Sequence, residues 1–223
     1  MTVALAVMAK APESGRVKTR LCPPCTPRQA AQLADAALRD VVSAMLATPV
    51  GRRVVALDGP RPGWLPASVE VLAQRGAGLD ERLAAAFADI GPALIIAADA
   101  PQVRPDDLLA GLRALRSYDA VLGPALDGGY WAIGLRRVHP RAVRGVPMSS
   151  PLTLDAQRTR LAALGLRWSE LRALRDVDAF TDALAVAEEC PRSRFACALA
   201  GLDLPTLVSP ADGGPSRRES APG

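Results

Sequence analysis

Near its start the chain reads Val3-Ala-Leu-Ala-Val-Met-Ala-Lys-Ala-Pro-Glu-Ser-Gly-Arg-Val-Lys-Thr-Arg-Leu21, an apolar run followed by a loop rich in cations. The apolar half, Val3–Met8, predicts a buried strand. The loop contains proline, glycine and both lysines of the chain, Lys10 and Lys18. Convergent cations and free backbone N–H groups bind phosphate oxygens, so a strand that ends in this loop indicates an anion site, with polyphosphate as the first candidate.

Predicted strands and helices alternate along the rest of the chain. Apolar runs predict strands over residues 53–57, 69–72, 93–98, 120–122, 130–135 and 166–171, and helical spacing predicts helices over 27–48, 79–90, 105–115, 151–164 and 178–189. This alternation predicts βαβ units and a mostly parallel, doubly wound α/β sheet. We expect a single domain over residues 1–208 and a disordered tail, rich in Pro, Gly and Ser, over residues 209–223.

Composition limits the possible classes of protein. The 223 residues are 49% hydrophobic and 22% charged, as in a soluble globular protein. The net charge of +4 comes from scattered arginines and aromatic residues make up 4%, so no nucleic-acid surface is indicated. No apolar run reaches membrane-spanning length, and no secretion signal is recognisable. Four cysteines without an export signal favour reduced thiols, so a cytoplasmic protein is expected.

Several common motifs are absent or incomplete. Lys18-Thr19 lacks the outer glycine of a Walker A loop, and the dinucleotide fingerprint Gly-x-Gly-x-x-Gly does not occur. Cys22-Pro-Pro-Cys25 has the spacing of a zinc knuckle, but Cys190 and Cys197 are spaced wrongly to complete it, so ordinary loop thiols are expected. His139 is the only histidine, and no Gly-x-Ser-x-Gly accompanies it, so a Ser-His-Asp hydrolase is not indicated.

Carboxylates follow two of the predicted strands. Asp99 comes directly after residues 93–98, and Asp176-Val-Asp178 follows the last strand-like run. In a parallel sheet the carboxyl ends of strands meet at one edge, where ligands bind. Alternation would direct Asp176 and Asp178 the same way, which suits a shared divalent cation. The alternatives are that Asp99 is a turn or cap residue before the next helix and that Asp178 caps the helix that follows it.

The segment Asp127-Gly-Gly-Tyr-Trp131 is a second candidate site. Its glycines allow close backbone approach to a ligand, Asp127 offers a carboxylate, and Tyr130 and Trp131 offer stacking faces. The same residues also predict a β-hairpin turn, in which the aromatic side chains would be ordinary core. Both interpretations stay open, because a hairpin can form one wall of a site.

Four motifs, in a fixed order, resemble a known family. They are Ala9-Lys-Ala-Pro-Glu-Ser-Gly-Arg-Val-Lys-Thr-Arg-Leu21, Ala98-Asp-Ala-Pro101, Gly123-Pro-Ala-Leu-Asp-Gly-Gly-Tyr-Trp-Ala-Ile-Gly-Leu135 and Asp176-Val-Asp178. From about Val3 to Glu189 the chain is similar to GT-A-fold transferases of the DUF2064 type, often labelled glycosyltransferase-like and related to 2-phospho-lactate guanylyltransferase. The resemblance implies a Rossmann-like three-layer αβα sandwich with the nucleotide-diphospho-sugar transferase (GT-A) fold.

The resemblance also implies roles for individual residues. The implied nucleotide contacts are Ala9, Lys10, Ala11, Gly15, Arg16, Lys18, Arg20, Gln74, Gly76 and Arg82. The implied ligands of Mg²⁺ or Mn²⁺ are Asp99, Asp178 and Asp176, and the implied acceptor contacts are Asp127, Gly128, Gly129 and Tyr130. Lys18, Arg16 and Asp127 are the expected catalytic residues. Two positions depart from the family pattern: Asp80 replaces a usual glycine, and Ala-Phe replaces Thr-Pro after Asp178.

Three functions remain open at this point. The leading hypothesis is a metal-dependent nucleotidyltransferase that joins a nucleoside triphosphate to a phosphorylated acceptor and releases pyrophosphate. The alternatives are a nucleotide-sugar-dependent glycosyltransferase and a non-catalytic nucleotide-binding sensor. The expected partners are a nucleotide or nucleotide sugar and a small acceptor, without nucleic acid or a membrane span. A homodimer stays open, and the sequence does not identify the base, the sugar or the acceptor.

Overall fold

The computed structural model describes residues 3–204, which form one seven-stranded sheet with helices on both faces. The strands are β1 (Ala4–Lys10), β2 (Arg53–Asp58), β3 (Glu70–Ala73), β4 (Ala93–Ala97), β5 (Ala120–Pro124), β6 (Tyr130–Leu135) and β7 (Trp168–Glu170). The helices are α1 (Pro27–Ala47), α2 (Leu79–Ile90), α3 (Pro105–Ala114), α4 (Thr153–Ala163), α5 (Phe180–Glu189) and α6 (Arg194–Ala200), and a short 3₁₀ turn spans Thr19–Leu21. The predicted tail lies outside the described residues.

The sheet has the strand order β3-β2-β1-β4-β6-β5-β7. Six strands run in one direction, and β6 alone runs against its neighbours β4 and β5. The reason is the length of the connection from β5 to β6. Five residues can close a hairpin, whereas a parallel crossover needs about a dozen. The prediction of a mostly parallel α/β sheet is therefore confirmed, and the predicted hairpin at Asp127-Gly128 is present.

Alternate residues of the strands pack in two separate apolar cores, one on each face of the sheet. Leu5 and Val7 of β1 pack in the core that includes Val41 of α1 and contacts from α3. Ala4 and Ala6 point to the other face, where Phe87 of α2 contributes a fully buried ring. Because strands in the centre of the sheet are covered on both faces, their sequences read as unbroken apolar runs.

Helices α5 and α6 pack outside α1 and form a third cluster of buried side chains. Phe195 of α6 is 1% exposed. The buried carboxylate of Asp40 accepts hydrogen bonds from the backbone N–H groups of Arg194 (3.1 Å) and Phe195 (2.8 Å). The sequence did not reveal α6, because seven residues are too few for an apolar period.

Two helix starts test the predicted caps. At α1 the predicted cap is confirmed: Thr26 and Gln29 form a reciprocal capping box, with Pro27 in the first helical position. At α5 the capping role considered for Asp178 is wrong, because the helix begins later and Ala179 is its N-cap residue. Asp182 accepts the Ala179 backbone N–H at 2.9 Å. Among residues 3–204, no helix has the length and apolar character needed to cross a membrane.

Candidate active site

A cleft of about 580 Å³ opens at the carboxyl ends of β1 and β4. Its floor includes Met8–Lys10 from β1 and Ala97–Asp99 from the end of β4, and Gln74 follows β3. From β1 the chain passes to β2 on one side, whereas β4 lies on the other side. This is the point at which the strand order reverses, and open α/β sheets bind ligands at such points.

The loop between β1 and α1 supplies the cations on one wall of the cleft. Arg16, Lys18 and Arg20 of this loop line the cleft, together with Lys10 at the end of β1. Arg16 forms an ion pair with Glu13 at 2.5 Å and its side chain is 62% exposed; Arg20 pairs with Asp178 and is 72% exposed. These two guanidinium groups are therefore accessible to an anion that enters the cleft.

Lys18 differs from its neighbours because its side chain points inward. Its ammonium group lies 2.8 Å from Oδ2 of Asp99, donates a second hydrogen bond to the Val177 carbonyl, and leaves the side chain 17% exposed. The Val177 N–H in turn donates to the Asp99 carbonyl at 3.0 Å. Lys18 thus joins the first loop, the end of β4 and the segment before α5. The alternative in which Asp99 caps α3 is wrong, since Arg104 is the N-cap residue.

Asp176 is the most strongly perturbed carboxyl group of this cluster. Its pKa is raised to about 6, mainly by burial and in addition by the charges of Asp99 and Asp127, against an opposing effect from Lys18. The charges of three predicted site carboxylates and of Lys18 therefore interact with one another. Negative charge exceeds positive charge there, so the cluster is suited to receive a cation.

The carboxylates are not arranged as the sequence suggested. Residues 171–179 contain no strand beyond the edge of β7, so the alternation assumed for Asp176 and Asp178 does not apply. Asp178 pairs with Arg20, whereas Asp176 is half-buried and interacts with the charge of Asp99. Within residues 3–204 no three acidic, histidine or cysteine side chains lie close enough to form a ready-made metal site.

Of the nucleotide contacts expected beyond β3, Gln74 and Arg82 line the same cleft and Gly76 does not, and the polar groups of the first two are partly engaged. The Gln74 amide donates to the carbonyls of Ala9 (2.8 Å) and Ala56 (2.9 Å). Arg82 pairs with Asp58 at 2.9 Å and also donates to the carbonyl of Gly76. These contacts fix the ends of β1, β2 and β3 and give the cleft a rigid end wall.

Asp127 and its glycines form the tight turn between β5 and β6. Asp127 Oδ1 accepts the Gly129 N–H at 2.8 Å, and Gly128 has φ 89°. The stacking role considered for Trp131 is wrong, because its ring is 1% exposed and its Nε1 donates to the Arg172 carbonyl at 3.0 Å. Tyr130 is half-buried and its hydroxyl donates to the sulfur of Met148 at 3.5 Å. Neither aromatic ring lines the cleft, which supports the core interpretation of both rings.

The cysteines show no zinc-like arrangement. All four are free thiols, and Cys25 packs in the cluster between α1 and the helices outside it. Burial raises the pKa of the Cys25 thiol, with a further contribution from Cys22. A raised pKa favours the thiol form of Cys25 at neutral pH.

Sequence reasoning missed two participants in the site. The Val177 carbonyl accepts a hydrogen bond from Lys18, and the sequence does not indicate which backbone oxygen a side chain contacts. Ser149, from the connection between β6 and α4, lines the cleft and has φ 55°. A non-glycine residue with positive φ is uncommon, but the sequence around Ser149 carries no motif that would have revealed it.

Comparison with protein families shows to which family the chain belongs. A model for a family described as uncharacterized protein conserved in bacteria, DUF2064, matches residues 31–150, just over half of the chain. The chain belongs to the DUF2064 family. The matched span includes Asp99, Asp127 and Ser149, whereas Lys18 and Asp178 lie outside it. No curated protein matches the sequence significantly.

Solved structures establish the fold. A proposed nucleotide-diphospho-sugar transferase from Desulfovibrio desulfuricans is 23% identical, with a TM-score of 0.80 over 90% of this chain and 95% of its own. CMP:2-keto-3-deoxy-manno-octonic acid synthetase in complex with CTP is 16% identical, with a TM-score of 0.51 over 84% of this chain and 100% of its own. A manganese complex of a Mycobacterium tuberculosis protein is 18% identical, with a TM-score of 0.50 over 84% and 98%. The predicted nucleotide-diphospho-sugar transferase fold is confirmed.

Proposed function

We propose that this protein is a transferase that acts on a nucleotide bound in the cleft at the ends of β1 and β4. The observation that carries the proposal is the contact between Lys18 and Asp99, at the end of a loop that also presents Arg16 and Arg20. Several cations on one loop, next to a strand-end carboxylate, suit a polyphosphate and its counter-cation. The fold is shared with a synthetase whose structure contains CTP.

Nucleotidyl transfer is the favoured reaction. An oxygen of the acceptor phosphate forms a bond to the α-phosphorus of a nucleoside triphosphate, the bond from that phosphorus to the bridging oxygen breaks, and pyrophosphate leaves. Lys18 and Arg16 would stabilise the negative charge that develops on the departing pyrophosphate. The acceptor is already an anion, so the step requires no general base. The several cations of the loop favour a triphosphate over a diphosphate.

The carboxylates fit a divalent cation. Asp99 and Asp176 supply hard oxygen ligands, and Mg²⁺ is usually held by one or two carboxylates together with substrate phosphates and water. Asp99 and Asp176 are the residues that would hold Mg²⁺ or Mn²⁺, and Asp178 would join them only after its ion pair with Arg20 opens. A bound cation of this kind would neutralise phosphate charge and polarise the phosphoryl group. A related structure contains manganese.

Glycosyl transfer is the second candidate, and one observation favours it. An acceptor hydroxyl needs a base, and Asp176, whose pKa is raised to about 6, is better matched to that role at neutral pH than an ordinary carboxylate if Asp99, rather than Asp176, holds the cation. Asp127 is the other candidate base. In this reaction the acceptor oxygen forms a bond to the anomeric carbon, the bond from that carbon to the diphosphate breaks, and a nucleoside diphosphate leaves.

The proposal is tested by measuring how candidate ligands shift the midpoint of thermal unfolding. Wild-type protein is measured with nucleoside triphosphates and nucleotide sugars, each with and without Mg²⁺. We expect a triphosphate to raise the unfolding midpoint only with Mg²⁺, Asp99→Ala to abolish the shift, and Lys18→Ala to reduce it. Arg113→Ala is the matched control, because Arg113 is exposed on α3 and lies outside the cleft.

The outcomes separate the three functions. A shift produced only by nucleotide sugars would replace nucleotidyl transfer with glycosyl transfer. A shift that is indifferent to both Mg²⁺ and Asp99→Ala would favour the non-catalytic sensor. If neither class of ligand stabilises the wild-type protein, the cleft does not bind nucleotides and the proposal is wrong.

A further inference from the structure

Two residues other than glycine adopt positive φ within residues 3–204, and both line the cleft. They are Lys18, with φ 48°, and Ser149, with φ 55°. Side chains in the left-handed region cost free energy relative to the common conformations, and such residues cluster at binding sites where surrounding contacts hold them. Lys18 has an evident role at Asp99. Ser149 has no role in the function proposed so far.

The connection that carries Ser149 is fastened to the body of the protein on both sides of that residue. Asp80 of α2 accepts the Gly145 N–H at 2.8 Å, and this hydrogen bond lowers the pKa of Asp80. Arg160 of α4 donates to the carbonyls of Arg141 (2.9 Å) and Arg144 (2.6 Å). These contacts do not depend on a ligand, so they hold the strained residue in place before anything binds.

The contacts after Ser149 complete this support. The Ser150 N–H donates to Thr153 Oγ1 at 3.2 Å, and the Gly128 carbonyl accepts the Leu154 N–H at 2.9 Å. Before it, the Tyr130 hydroxyl donates to the sulfur of Met148. Ser149 itself has no side-chain hydrogen bond among the described residues and its side chain remains exposed. Its hydroxyl is therefore available to a ligand.

Ser149 reaches the cleft from the face of the sheet opposite to the phosphate loop. The loop of Lys18 leads into α1, which packs on one face. The connection of Ser149 carries Ala142 and Val143, which pack with α2 on the other face. The cationic wall would take the phosphates, so a neutral hydroxyl across the cleft would meet an uncharged part of the nucleotide. A serine hydroxyl both donates and accepts, which suits a sugar hydroxyl.

We propose that Ser149 is a substrate-contacting residue whose hydroxyl forms a hydrogen bond with a ribose hydroxyl of the bound nucleotide. This proposal rests on nucleotide binding in the cleft. In this proposal the hydrogen bonds at Gly145 and Thr153 hold Ser149 in its left-handed conformation. It also gives a role to Asp80, whose carboxylate fastens the connection that presents Ser149.

The test compares two substitutions that share the loss of the hydroxyl and differ in backbone strain. Ser149→Ala removes the hydroxyl and keeps a Cβ in the left-handed region, whereas Ser149→Gly removes the hydroxyl and the strain. The dissociation constant of the triphosphate that stabilises the wild-type protein is measured with Mg²⁺, alongside its 2′,3′-dideoxy form. Ser117→Ala, at an exposed serine far from the cleft, is the control.

We expect both Ser149 variants to bind the ribonucleotide about three- to tenfold more weakly, as for the loss of one hydrogen bond, and the dideoxy form as the wild-type protein does. Ser149→Gly should unfold at or above the wild-type temperature, which separates lost contact from lost stability. Wild-type affinity in Ser149→Gly, or equal weakening of both nucleotide forms, would overturn the proposal. If the wild-type protein binds no nucleotide, the proposed function fails first and this inference fails with it.

Discussion

Replacing Asp176 by asparagine should stabilise the protein at neutral pH. Asparagine resembles the protonated carboxyl group in shape but carries no charge, so it removes the cost of an ionised group that is half-buried beside Asp99 and Asp127. The pKa of Asp176 is raised to about 6 in the folded protein, from an ordinary value of 3.8. Each pKa unit corresponds to about 1.4 kcal/mol, so the free energy of unfolding at pH 7 should rise by about 1–3 kcal/mol.

The sign follows from the protons bound in each state. Between about pH 4 and pH 6 the folded protein holds the Asp176 proton more tightly than the unfolded chain does. The stability that the protonated group contributes is therefore fully present below about pH 4 and is lost as the pH rises through about 6. Consequently the advantage of Asp176→Asn should be small near pH 4, grow through this window and level off above pH 7.

Urea unfolding in the presence of EDTA, at several pH values from 4.5 to 8, measures this difference without a divalent cation. Asp106→Asn is a matched control, because Asp106 is exposed in the first turn of α3 and its charge favours the helix. That control should lose a few tenths of a kcal/mol, the opposite sign. An Asp176→Asn protein that is less stable than the wild type at pH 7, or a difference that does not vary with pH, would refute the reasoning.

Three further predictions, one of them a comparison of two glycine substitutions, test other parts of the structure. Lys18→Met leaves Asp99 and its neighbours without their cation and should lower the free energy of unfolding by about 1–3 kcal/mol at pH 7, and by less at pH 5, in urea titrations with EDTA. Gly128→Ala places a Cβ onto the Pro151 carbonyl and should lower the free energy of unfolding by about 2–4 kcal/mol. Gly15→Ala, also at positive φ but with open space around it, should lower it by about 1–2 kcal/mol. Equal losses in the two variants would contradict this explanation. Phe195→Ala empties a site that is 1% exposed and should cost about 3–5 kcal/mol by urea unfolding, and a loss below 1 would show that α6 is not held by its packing.

Most of the secondary structure could be predicted because its signals are local. Helix α2 and strand β6 have the predicted bounds, and the cap at Thr26 and the turn at Asp127 depend on side chains within a few positions of one another. The errors also have physical causes. Trp131 was considered for ligand stacking because an aromatic beside two glycines fits a binding site, but its position on β6 points it into the core. Helix α6 is held by a hydrogen bond from Phe195 to Asp40, 155 positions away, and no local sequence pattern predicts this helix.

The sequence by itself determined the elements of this protein and the chemical character of its first loop, because apolar period, capping residues and turn glycines act over short distances. The tertiary structure decided which charges meet. Lys18 and Asp99 are 81 positions apart, and they touch because β1 and β4 are neighbours in the sheet. The same sheet order places the half-buried Asp176 near them and brings Ser149 to the cleft from the opposite face. Long-range proximity of this kind depends on how the whole chain packs, which residue order alone does not specify.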